Sequence, residues 1–180
     1  PSGLWKAVGY SGSNTVRFVA DKGPNKVHRR SIYTFWKRTA PPPQMTTLDA
    51  PSREECRVRR ERTNTPLQAL LLMNDRQYVE AARGVAARTL TEVQSKNNSA
   101  RATWIFRLAT SRNPSKDDLG DILALLNSAR EEFARDPASA KALIAIGDQP
   151  PDQKLDPVEL ATWTLVANLI LNLDEVITKG

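Results

Sequence analysis

From Thr65 onward apolar residues return every three or four positions, the spacing of one helix face, whereas residues 1–64 keep no such period. Thr65 is a good N-cap with Pro66 at the favoured first helical position, and Leu67, Leu70 and Leu71 form an apolar stripe behind it. Asn74 and Asp75 break the pattern. Tyr78, Val79, Ala82, Val85, Ala86 and Leu90 then carry a helix to about Val93. Gln94 to Asn98 reads as a loop, and Ser99 caps a helix that turns Trp104, Ile105, Leu108 and Ala109 inward. Ser115 with Asp118 makes a capping-box start for a helix that buries Leu119, Ile122, Leu123, Leu126, Ala129 and Phe133. Asp136-Pro137 opens a short helix to about Ile146, a Pro-rich loop runs from Gly147 to Leu155, and Asp156-Pro157 opens the last helix, to about Leu173.

That last helix is apolar on most of its circumference and should sit centrally, with neighbours on several sides. Thr164, Asn168 and Asn172 draw one polar line along it, best read as helix-to-helix hydrogen bonds. The first 64 residues are irregular. Thr15–Val19 and Ser31–Trp36 have strand character and could pair as a small hairpin, although Ser31 could equally cap a helical turn. Pro41-Pro-Pro43 predicts an extended connector. The expected fold is mainly α: an irregular N-terminal third, 1–64, packed on a bundle of about five helices, 65–180, forming one compact domain.

Composition bounds the chemistry. The 180 residues are 40% hydrophobic and 26% charged, enough to bury a core. The longest apolar stretch, Val158 to Leu173, is too short and too interrupted for the ~20 residues of a membrane-spanning helix. Cys56 and His28 are the only cysteine and histidine, which rules out an internal disulfide, a His-rich zinc site and a haem attachment motif. No Gly-rich phosphate loop or dinucleotide fingerprint occurs, and the sequence calls for no metal or cofactor. A Cys56–His28 dyad has little behind it, and an inert cysteine is the preferred reading.

Charge is distributed unevenly. Residues 1–66 hold 13 Lys/Arg against 5 Asp/Glu, a net +8, while the remainder carries −2. Such asymmetry points to an anionic partner or an acidic neighbouring surface. Its densest part is the run Asp49–Pro66, where Arg53, Arg57, Arg59, Arg60 and Arg62 alternate with Glu54, Glu55 and Glu61. Arginine forks grip carboxylate, sulfate or phosphate in a bidentate way, so Arg53, Arg59, Arg60 and Arg62, with Asp49, Trp36, Lys37 and Arg38, are the candidate anion site. Interleaved acids favour the alternative that these arginines form ion pairs anchoring an irregular segment. Tyr33, Phe35 and Trp36 beside basic residues offer raw material for nucleic-acid binding, but no nucleic-acid motif accompanies them, and these aromatics are read first as core.

Several segments, Leu4–Gly9, Arg30–Arg38, Thr46–Glu54, Arg59–Leu70, Met73–Asp75, Ala161-Thr-Trp163 and Asn172-Leu-Asp-Glu175, resemble, in order, the PSD-type domain of unknown function 1553 family. The resemblance implies a planctomycete-type, extracytoplasmic bacterial setting and a multidomain parent, often with a cytochrome c-like domain upstream. On that view this chain is the C-terminal part of a longer domain. The haem motif of such an upstream region has no counterpart here, and the family lends no activity.

Together these readings predict a structural or interaction module with no independent activity, docking on upstream domains through its basic N-terminal third. The alternatives are an anionic-polysaccharide binding or degrading domain built on the arginine-rich segment and, third, a nucleic-acid binder.

Overall fold

The computed structural model describes residues 21–38, 40–56, 58, 59 and 63–178. The chain divides into two compact units, Pro1–Thr63 and Asn64–Gly180. In the first, described residues form two short helices, α1 (Pro24–Val27) and α2 (Pro43–Thr47), with a 3-10 turn at Ser31–Tyr33 between them. The expected strand at Ser31–Trp36 is thus a tight turn followed by extended chain, and its proposed hairpin partner, Thr15–Val19, lies outside the described residues. An isolated antiparallel bridge joins Lys37 and Ala40. The expected extended connector at Pro41–Pro43 stops short, because Pro43 is itself the first residue of α2: its fixed φ suits a helix start, where no N–H is needed.

The second unit is helical throughout: α3 (Pro66–Asn74), α4 (Arg76–Glu92), α5 (Asn98–Thr110), α6 (Lys116–Arg135), α7 (Pro137–Ile144), α8 (Pro157–Leu171) and the single turn α9 (Asp174–Ile177). Six of these exceed two turns, close to the expected five or so, and α9 is a single turn. Side chains written into the sequence start them. Thr65 and Gln68 form a reciprocal capping box on α3, and Ser115 and Asp118 do so on α6. Asp75, Asp136 and Asp156 accept first-turn N–H bonds on α4, α7 and α8. The cap of α5 is Asn97 rather than Ser99, its Oδ1 accepting from Ser99 N at 2.9 Å.

At the centre lies α8, packed most extensively on α4 and then on α6 and α7. Leu160, Ala161, Trp163, Val166, Ala167 and Ile170 are buried, and Phe106, Ile105 and Leu126 close around them. Each such large apolar side chain contributes ~1.5–3 kcal/mol by leaving water. Alanines 82 and 86 on α4 let the two helix backbones approach. Leu67, Leu70 and Leu108, expected to face inward, are instead exposed, and the buried residue of α3 is Gln68. Among the described residues no helix is long and apolar enough to cross a membrane.

Candidate functional site

Asp49 closes the arginine-rich segment at its base. It holds a left-handed backbone (φ 59), which aspartate tolerates better than most residues. Its carboxylate accepts from Thr63 N at 2.8 Å and from Thr63 Oγ1 at 2.9 Å, joining the two ends of the loop between them. Arg38 forms a two-pronged pair with Glu54, Nε at 2.9 Å and a terminal nitrogen at 2.5 Å. Those hydrogen bonds hold the Glu54 carboxyl below its ordinary range, with burial acting in the opposite direction. Arg53, also left-handed (φ 64), lays its guanidinium 4.8 Å from the centroid of the Trp36 ring.

Four of the described candidates are therefore engaged within the first unit: Arg38 with Glu54, Arg53 with Trp36, and Asp49 with Thr63. Arg59 is exposed and Lys37 half-buried. Arg57, Arg60, Glu61 and Arg62 lie outside the described residues. Tyr33 and Phe35, read from sequence as core, are exposed, and only Trp36 is partly covered. The irregular segment around them lacks the periodic apolar face that would bury them. The indole N–H of Trp36 is buried with no acceptor among the described residues. Cys56 is an exposed free thiol.

The second unit holds a buried charged centre. Glu80 and Arg83, on the face of α4 that carries Val79, Ala82 and Ala86, are both buried. The Arg83 guanidinium donates to the carbonyls of Ile144 and Gln149 and, at 2.8 Å, to that of Ile146. The Glu80 carboxylate accepts from Asp148 N at 2.8 Å and Gln149 N at 2.7 Å, and lies 3.8 Å from Arg83. The end of α7 and the chain after it have no helical partners for these backbone groups, and the two side chains supply them. Burial pushes the Arg83 pKa down from the usual guanidinium value, and Glu80 opposes that shift. Gly147 completes the arrangement at φ 111: a Cβ there would fall on the Glu80 carboxylate and within 2.8 Å of Glu80 Cβ. The legible signal was position, since Arg83 lies four residues after Val79 and three before Ala86, on the buried stripe.

The polar line along α8 is structural. Thr164 Oγ1 donates to Leu160 O within its own helix, at 2.7 Å. Asn168 and Asn172 donate to Met73 O and Ala69 O of α3, each at 3.4 Å. Met73 O is one of the terminal carbonyls that a helix leaves unpaired. Asn64 Nδ2 donates to Asp174 Oδ1 at 2.6 Å. Arg112 grips Glu175 at 2.6 and 2.9 Å and Asp118 at 3.1 Å, while stacking 4.6 Å over Phe106. These contacts tie α3, the α5–α6 junction and α9 to one another. Among the described residues no group of three or more His, Cys, Asp or Glu gathers as a metal site requires.

Such an arrangement defines an all-α module in which segments far apart in sequence meet through asparagine and arginine contacts. The chain belongs to the PSD1 family, a protein of unknown function (DUF1553), matched over residues 6–126. The motif Asn172–Glu175 lies beyond that span, yet it pairs with Asn64 and Arg112 inside it. No curated protein and no solved structure matches the chain.

Proposed function

We propose that this chain is a structural and interaction module of a larger extracytoplasmic bacterial protein, docking on other domains of that protein rather than acting alone on a substrate. The observation that carries this reading is α3. The helix is apolar nearly all round, a composition that ordinarily calls for cover on every side. Yet Leu67, Leu70 and Met73, successive at three-residue spacing, are 60%, 59% and 47% exposed. An exposed apolar row on a helix otherwise pinned by Asn168 and Asn172 suits a permanent neighbour. The arginine-rich segment supports the same reading in part, because Arg53 lies on Trp36 and Glu54 is held by Arg38. The extracytoplasmic, multidomain setting comes from the family resemblance.

Hydroxyl-radical footprinting of the natural full-length protein, compared with the isolated chain, tests this. Leu67, Leu70 and Met73 should be labelled strongly in the chain alone and weakly in the full-length protein. Equal labelling in both would refute the docking reading. One observation favours a second reading, an anionic-polysaccharide site: Arg53 and Arg59 are both exposed. Retention on heparin in moderate salt, lost in Arg53→Ala/Arg59→Ala without a change in melting, would establish it in place of the first.

A further inference from the structure

The described part of the first unit carries a cationic turn with an apolar tip. Residues 21–48 hold six Lys/Arg against a single acid, Asp21. Lys37 is half-buried and Arg38 is bound to Glu54, which leaves Lys22, Lys26, Arg29 and Arg30, all exposed. Directly after Arg30 the backbone closes a 3-10 turn, with Tyr33 N bonded to Arg30 O and Thr34 N to Ser31 O, both at 3.0 Å. The turn exposes Ile32 by 77% and Tyr33 by 73%. Two exposed arginines thus stand beside two large apolar side chains in five consecutive residues.

We propose that this turn is a second docking site, seated on an acidic polypeptide surface with an apolar recess for Ile32 and Tyr33, on another domain of the same protein. The inference rests on the docking reading above and supplies the chemistry of the partner. Charge complementarity sets the sign: arginine and lysine at an interface rim steer toward carboxylates and fix register. The apolar tip selects among anionic partners. A single-stranded nucleic acid would stack on Tyr33 but has no use for an exposed isoleucine. A sulfated or uronate sugar chain would meet the arginines and leave Ile32 in water. A bilayer would take both side chains, but two of them make a weak anchor compared with the apolar face of an amphipathic helix. A polypeptide interface, with its apolar centre and polar rim, accommodates all four residues at once.

The test is zero-length carboxyl–amine coupling of the natural full-length protein, read by mass spectrometry at low and at high salt. Coupling of Lys22 or Lys26 to Asp or Glu residues outside this chain is expected. It should fall about tenfold or more in high salt and in Ile32→Asp/Tyr33→Asp, as removal of a steered, apolar-centred contact requires. Arg29→Glu/Arg30→Glu provides the charge counterpart, and circular dichroism checks that both variants fold. Absence of such couplings, or couplings indifferent to both variants, overturns the inference. If the footprint on Leu67, Leu70 and Met73 persists in that sample, only this inference falls; if it vanishes too, the docking reading falls with it. Binding of the isolated chain to phosphatidylglycerol vesicles or to a DNA oligonucleotide, lost in Arg29→Glu/Arg30→Glu and unaccompanied by protein coupling, reassigns the turn and overturns the proposal as well.

Discussion

Replacing Arg83 by methionine keeps much of the side-chain length and removes the charge and the donor fork. Three carbonyls, those of Ile144, Ile146 and Gln149, then lose their donor, and the Glu80 carboxylate loses its cation while remaining buried. Removing one partner from a buried, hydrogen-bonded ion pair costs ~3–5 kcal/mol. Total stability of a domain is ~5–15 kcal/mol, so this is a large share. At ~2–4 °C per kcal/mol for a chain of this size, the melting temperature should drop by roughly 10 °C. Arg88→Ala is the matched control: Arg88 is also on α4, but it is exposed, as is its partner Glu92, and the change should leave the melting temperature nearly unmoved. Thermal melts of both variants decide the magnitude, and hydrogen exchange should show protection lost selectively at Asp148 and Gln149. If Arg83→Met melts within a degree or two of Arg88→Ala, the guanidinium is not what anchors this loop and the reasoning fails.

Gly147→Ala should destabilise by ~1–3 kcal/mol, because it combines a left-handed backbone with a Cβ on the Glu80 carboxylate; urea unfolding would measure it, and a neutral result would show that Glu80 can move aside. Asn168→Leu orphans the Met73 carbonyl at the end of α3 and should cost ~1–2 kcal/mol, with faster exchange at the C-terminal turn of α3. Acid should weaken the caps. The Ser139 hydroxyl and backbone hold the Asp136 carboxyl below its ordinary pKa, as the Ser115 backbone and Arg112 do for Asp118. A carboxyl whose folded pKa is depressed stabilises the fold above its unfolded pKa of about 3.9, and that contribution is lost as pH falls through the folded pKa. Asp136→Ser should therefore flatten the fall of melting temperature between about pH 5 and pH 3, and an unchanged slope would count against the cap.

Helix starts and the central helix were legible because their causes are local. Thr65, Ser115, Asp136 and Asp156 bond first-turn amides a few residues away, and the period of Leu160, Trp163, Val166 and Ile170 needs no tertiary information to be read as buried. Which apolar residues of α3 face outward was not legible: Leu67, Leu70 and Leu71 are chemically alike, and only the docking of α3 on α8 through Ala69 and Met73 chooses between them. The candidate site divides on the same line. Sequence singled out an arginine cluster by density; of its described members Arg53 stacks on Trp36 and Arg59 is exposed. Among the described residues the arginine that the fold buries is Arg83, remote from that cluster, and the carbonyls it serves lie more than sixty residues away, at the end of α7 and in the loop after it. A period can place a charge on a buried stripe. Only the folded chain brings unpaired backbone carbonyls to meet it, because their need for a donor arises when that loop is excluded from water.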